Sequence, residues 1–225
     1  MTRVLLFDID QTLLYTGGAG NVAFNIAFEG MFGIRDGFGK VEYSGRTDLF
    51  ILHEALRQND IEGGVESHLG EFLLRYYELL RRTIREKDGY LMPGFPQLLV
   101  ALSQAPNVRL GLATGNFSEA ARIKLEHYGI GGFFAAGGFG EESLDRSDVI
   151  RSAIERVANG AVPEDILIIG DTPKDIAAAL DNGVVGVGVA TGSYGVDELR
   201  ACGAHMAFED FSDWKSAAAT LAGQA

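Results

Sequence analysis

Two aspartates stand two residues apart in Phe7-Asp8-Ile9-Asp10-Gln11-Thr12, directly after an apolar run. In extended backbone, side chains two apart share a face, so both carboxylates aim at one reacting group. At that range like charges repel unless one is protonated or a cation neutralises them. The pair therefore suits a division of labour: Asp8, kept ionised, is a nucleophile, and Asp10 gives and then takes a proton. Two more polar clusters end apolar runs, Ala113-Thr114-Gly115-Asn116 and Gly170-Asp171-Thr172-Pro173-Lys174-Asp175. Asp171 is placed to share a divalent cation with Asp8, and Asp175 to neighbour or orient it. Oxygen donors with no His or Cys cluster favour Mg2+ over zinc. Thr114, Gly115 and Asn116 at a strand-to-helix junction offer a hydroxyl and backbone N–H groups, a cradle for an anion. Each cluster alone has a plainer explanation, such as a turn-capping aspartate or an ordinary Thr-Gly turn. Three of them on one edge favour the chemical reading, and capping by Thr172 accounts for neither Asp171 nor Asp175.

The elements that must position these residues are legible. Short apolar runs at Val4–Phe7, Val108–Ala113, Ile166–Ile169 and Val184–Val189 suit strands buried on both faces of a parallel sheet. Helices are signalled between them: Gly94–Gln104 opened by Pro93 and Pro96, Ser118–Tyr128 stopped by Gly129, Asp145 to about Ala158, and Thr172–Asn182 stopped by Gly183. Alternating strands and helices imply an α/β fold with a doubly wound parallel sheet, whose ligand sits outside the carboxyl ends of the strands.

One stretch breaks the alternation. Val65, Leu69, Phe72, Leu73, Tyr76, Leu80 and Ile84 step by threes and fours, a long amphipathic helix, and residues 21–32 and 47–58 add two more. With no convincing strand in it, this region reads as an all-helical insert over residues 16–90, with the α/β core assembled from 1–15 and 91–225. Gly17–Gly18 and Lys87–Gly94 are its flexible borders.

Composition narrows the function classes. Hydrophobic residues make up 47% of the 225, enough for a sizeable core. The formal net charge of −12 argues against nucleic acid and anionic membrane as partners and favours a metal cation as guest. No apolar run is long enough to span a bilayer or serve as a signal segment, and the single cysteine, Cys202, has no internal partner. A cytoplasmic protein, monomer or homodimer, is expected. His53, His68, His127 and His205 are scattered, without metal-ligand company.

The three clusters resemble motifs of the haloacid dehalogenase-like (HAD) hydrolase superfamily: Phe7-Asp-Ile-Asp-Gln-Thr-Leu-Leu its first, Ala-Thr-Gly-Asn at 113–116 its second, and Gly-Asp-Thr-x-x-Asp at 170–175 its fourth. The helical insert is similar to the cap of the phosphoglycolate phosphatase-like branch. The resemblance implies a phosphatase that hydrolyses a small phosphorylated metabolite through an aspartyl-phosphate. Asp8 would be phosphorylated, Asp10 would be the acid/base, and Mg2+ would be held by Asp8, the backbone carbonyl of Asp10, and Asp171. A dehalogenase is disfavoured, because that chemistry does not keep an aspartate at the Asp10 position. The remaining alternatives are a phosphomutase of the same fold and a non-catalytic anion- or nucleotide-binding module.

Two features depart from the family pattern. Gln11 stands where glycine is common, and the usual third-motif lysine is missing. Lys124 lies two turns along its helix, ~12 Å from the end at ~1.5 Å per residue, and is set aside as too distant. Arg146, in the first turn of its helix, is the expected replacement as a phosphate ligand, with Lys174 the fallback. In the insert, Ser44-Gly45-Arg46-Thr47-Asp48 interrupts the helical pattern. Arg46 is a candidate for binding a substrate carboxylate, as phosphoglycolate would require; the alternative is that Asp48 caps the next helix and pairs with Arg46.

Overall fold

The apolar runs become the middle of a single sheet. A computed structural model, describing residues 2–224, runs in the order β1 (Arg3–Phe7), β2 (Leu14–Tyr15), α1 (Ala19–Phe32), α2 (Asp48–Gln58), α3 (Gly64–Glu86), β3 (Tyr90–Leu91), α4 (Gln97–Gln104), β4 (Val108–Ala113), α5 (Ser118–His127), β5 (Gly137–Gly138), α6 (Arg146–Val157), β6 (Ile166–Gly170), α7 (Pro173–Asp181), β7 (Val185–Val189), α8 (Val196–Ala201), β8 (Met206–Phe208) and α9 (Trp214–Leu221). Six strands form a parallel sheet in the order β5-β4-β1-β6-β7-β8.

Alternation along each strand divides the core. Leu5, Phe7, Leu167 and Ile169 face one side with α4, α5 and α9, while Val4, Leu6, Ile166 and Ile168 face the other with α6 and α7. All eight side chains are buried, each contributing about 1.5–3 kcal/mol relative to an exposed position. The fold is therefore the expected doubly wound α/β sandwich. Because β1 lies between β4 and β6, with Phe7 opposite both Leu112 and Ile169, its carboxyl end is a switch point where the chain leaves in opposite directions.

Four short strands lie outside the apolar runs. β5 is two glycines; a Cβ on Gly138 would collide with the Val149 carbonyl of α6, so close helix approach selected the residue and erased the strand signal. β8 is half-buried and only three residues long. β2 and β3 pair antiparallel, Leu14 with Leu91 and Tyr15 with Tyr90, and correct the expectation of no strand between β1 and α4. They form a two-stranded neck from which α1, α2 and α3 emerge.

Those three helices bury a cluster of their own, with Phe24 in edge contact with Phe72 and Tyr76 at centroid separations of 5.0 and 4.5 Å. The cluster does not end at the neck: Phe117, Ala120 and Ile123 of the α5 region belong to it. No helix among the described residues is long and apolar enough to cross a membrane.

Candidate active site

Asp8 is the first residue past β1, and its N–H still donates to the Ile169 carbonyl at 2.9 Å, so the last sheet bond sets where its side chain points. The carboxylate is buried, and Oδ1 lies 3.0 Å from Arg146 Nη2. Arg146 opens α6 behind its N-cap Asp145, and Nη2 also donates to Asp175 Oδ1 at 2.5 Å and to the Ala113 carbonyl at 3.3 Å. One guanidinium thus serves two buried carboxylates. Lys174 is elsewhere, paired with Glu42 Oε1 at 2.7 Å.

Asp171, past β6, is buried beside them. Its carboxyl is pushed up to about 8 by burial, then by the charges of Asp175 and Asp8. Asp8 is raised too, mainly by burial and against the pull of Arg146. Asp175 is fully buried, and Oδ2 accepts from the Thr172 N–H at 3.1 Å and Oγ1 at 2.8 Å, a capping box that starts α7. Capping therefore does account for Asp175, contrary to the sequence expectation. The same carboxylate also orients Arg146.

Carboxylate oxygens of Asp8, Asp171 and Asp175 lie within 4.8 Å of one another. Fully ionised, the three carboxylates against the one guanidinium of Arg146 would leave two negative charges, the amount a divalent cation neutralises; without one, burial favours a proton on Asp171 instead. A Cβ on Gly192 would collide with Asp171 Oδ2, so the residue there leaves that oxygen free. An all-oxygen donor set of this charge fits Mg2+.

Asp10 is held from the side. Oδ2 accepts from Asn116 Nδ2 at 2.8 Å and from Lys124 Nζ at 2.6 Å. Lys124 is therefore part of the site, and the distance argument against it fails for a physical reason. Side chains lean toward the N-terminus of their helix, and the loops that carry Asp10 and Asn116 pass beside α5 and not beyond its end, so the lysine stem has only part of the two turns to cover. A signal existed in the sequence: Lys124 occupies a core-facing register among Ala120, Ala121, Ile123 and Leu125.

The loop after β4 is split in function. Thr114 is fully buried, and its Oγ1 accepts from the Asn116 N–H at 3.2 Å and from Asn116 Nδ2 at 2.9 Å, so it braces the loop behind the cavity wall. Gly115 and Asn116 form that wall. A Cβ on Gly115 would strike the Arg46 carbonyl, and the Gly115 carbonyl accepts the Asp48 N–H at 2.7 Å, so the insert touches the core here through backbone. Gln11 has φ of 61°, left-handed backbone that favours glycine, with its N–H bonded to the Leu14 carbonyl at 2.8 Å.

The cavity measures about 570 Å3, within the range of small-molecule sites, and runs from Asp8, Asp171 and Arg146 to the underside of α1 and α2. Arg46 lines it, but its guanidinium lies 3.3 Å from Glu42 Oε2 and 4.3 Å over the Phe50 ring. It does not pair with Asp48, and the cap of α2 is Thr47, whose Oγ1 accepts the Phe50 N–H at 3.1 Å. Asp48, which the sequence offered only as a helix cap, also faces the cavity; burial pushes its carboxyl up to about 7.

A family model described as haloacid dehalogenase-like hydrolase matches residues 2–183. The chain belongs to the haloacid dehalogenase-like hydrolase family. Among solved structures, this hydrolase is similar to CbbY from Rhodobacter sphaeroides in complex with phosphate, at 21% identity and TM-score 0.74, over 95% of this chain and 96% of that one. It is also similar to a hydrolase from Pseudomonas syringae, at 22% identity and TM-score 0.71, over 96% and 97%. A Haemophilus somnus protein described as a predicted phosphoglycolate phosphatase shares the fold at 20% identity and TM-score 0.67, over 96% and 97%. At these identities the likeness shows the fold of the haloacid dehalogenase-like hydrolase and no more. No curated protein matches it.

Proposed function

We propose that the protein is a Mg2+-dependent phosphatase of a small phosphomonoester, working through an aspartyl-phosphate on Asp8. The observation that carries this reading is the different company of two neighbouring aspartates: Asp8 has Arg146 at 3.0 Å and the Asp171 carboxylate beside it, while Asp10 has Lys124 at 2.6 Å. A nucleophile poised at an anion site and a separate proton-handling group are what stepwise phosphoryl transfer needs.

Asp8 attacks phosphorus in line, and the bond to the leaving oxygen breaks as Asp10 supplies its proton. Arg146, the N–H of Gly115 and the side-chain amide of Asn116 are the donors on the wall that faces the phosphoryl oxygens. Asp10 then takes a proton from water, which attacks the phosphorus of the acyl phosphate and releases phosphate and Asp8. The cation would be held by Asp8, the carbonyl of Asp10 and Asp171, and its chemistry when bound is to offset the charge of nucleophile and phosphoryl group together. Residues 16–90 act as a cap that excludes water, hinged at the neck of β2 and β3. A reducing, cytoplasmic setting suits the one exposed cysteine, Cys202.

The test is hydrolysis of p-nitrophenyl phosphate with Mg2+ by wild type and Asp8→Asn, purified free of contaminating phosphatase. Loss of at least a thousandfold in kcat is expected, and equal rates would end the assignment.

A further inference from the structure

A carboxylate with no part in the phosphoryl-transfer steps faces the same cavity. Asp48 opens α2, and its Oδ2 accepts the Phe117 N–H at 2.9 Å while its own N–H donates to the Gly115 carbonyl at 2.7 Å. These two bonds fix the first turn of α2 against the loop after β4. Among the described residues no donor is hydrogen-bonded to Asp48 Oδ1. The side chain is half-buried, and what surface it keeps lies on the cavity wall. An acceptor held rigidly on a cavity wall and given no donor by the protein is a place for a donor from the ligand, which would replace cavity water there.

The cations around it each already face an acid, although Nε of Arg46 and Nε of Arg146 have no partner of their own. Lys124 is paired with Asp10, Arg146 with Asp8 and Asp175, and both Arg46 and Lys174 with Glu42. The pull of Lys174 and Arg46 holds Glu42 below the usual carboxylate range. The wall of the same cavity also carries neutral groups that both donate and accept, including Thr16, Ser44 and Tyr76. A carboxylate on the leaving group would meet Asp48 as a second unpaired anion, whereas a hydroxyl would give it a proton and take one from the neutral groups.

We propose that Asp48 is a specificity residue that selects phosphomonoesters whose leaving group is hydroxylated, of the polyol or sugar monophosphate class, over carboxylated ones. This rests on the phosphatase reading and narrows its substrate, and it reverses the part given to Arg46 by the sequence.

The experiment compares kcat/KM with Mg2+ on glycerol 3-phosphate and glucose 6-phosphate against phosphoglycolate and 3-phosphoglycerate, with p-nitrophenyl phosphate as reference. Wild type is expected to favour the better hydroxylated substrate at least tenfold over both carboxylated ones. In Asp48→Asn, whose amide oxygen can still accept the Phe117 N–H, that ratio should fall tenfold or more. In Arg46→Ala the ratio should stay within about threefold. A wild-type preference for a carboxylated substrate, an unchanged ratio in Asp48→Asn, or a selective loss on carboxylated substrates in Arg46→Ala would each overturn the proposal. If Asp48→Asn does not fold, the wild-type ratio decides. Turnover of the reference compound without the preference sinks this inference alone; no turnover of any of the five sinks the phosphatase reading with it.

Discussion

Lys124 Nζ, two turns into α5, lies 2.6 Å from Oδ2 of Asp10 across the mouth of the cavity. The lysine is buried and the aspartate side chain is 41% exposed, so the ammonium, not the carboxylate, is the anchored member. In the proposed reaction Lys124 would be a positioning residue, keeping Asp10 at one angle while it gives and takes a proton.

Lys124→Met keeps most of the apolar stem and removes the anchor. We expect kcat to fall about 10- to 100-fold, with KM changing less than threefold, because a misplaced proton donor slows chemistry more than binding. Steady-state kinetics on p-nitrophenyl phosphate check this, and a kcat within twofold of wild type would contradict it.

Arg146 answers for both Asp8 and Asp175, and its removal leaves two buried carboxylates without their cation. Arg146→Ala should cost about 3–5 kcal/mol at pH 8. The loss should shrink toward pH 5, where the abandoned carboxylates take protons, and urea unfolding at the two pH values tests that slope. Arg146→Lys keeps a charge but not the fork, so it should recover part of the stability and little of the activity. A loss under 1 kcal/mol for the alanine variant would mean that the pairing is idle.

How far these relationships could be seen in the sequence depends on whether they act along the chain or across it. Asp8, Asp10 and Asp171 follow apolar runs directly, so strand order alone brings them to one edge. The helices of the insert show because Val65 to Ile84 keep a strict helical step. β5 and β8 are hidden, since a strand of two glycines or three half-buried residues has no apolar run. Lys124 and Asp48 are hidden differently: each acts across the boundary between insert and core, and nothing near them in sequence names the partner. Gln11 was visible as an oddity, but only its φ of 61° explains why glycine would be at ease there.

Asp171, raised to about 8, holds its proton at neutral pH unless a cation displaces it. Mg2+ binding should therefore release a proton below pH 8, and its apparent affinity should rise roughly tenfold per pH unit from 6 to 7 and level off above 8. Calorimetry in two buffers of different ionisation enthalpy measures the proton, and affinity independent of pH would refute the coupling. Gly192→Ala, whose methyl would collide with Asp171 Oδ2, should fold and yet lose the thermal shift on adding Mg2+.

Asp48 gives a stability signature separable from its part in selectivity. Its folded-state value of about 7 lies above the ordinary value of 3.8, raised chiefly by burial, with Lys124 and the Phe117 N–H pulling down and Asp10 and Glu141 pushing up. A raised carboxyl binds its proton more tightly in the folded state, so its contribution is fully present below about pH 4 and is lost as pH rises through 7. Replacing it with Asn removes that slope. The stability of Asp48→Asn relative to wild type should climb by about 1–2 kcal/mol between pH 4.5 and 8, less than a full three-unit shift implies because cavity water solvates the ion. Denaturation of both proteins across that window supplies the measurement. A flat difference would show that the Asp48 carboxylate is comfortably solvated, and would remove the demand for a ligand donor that the proposed selectivity rests on.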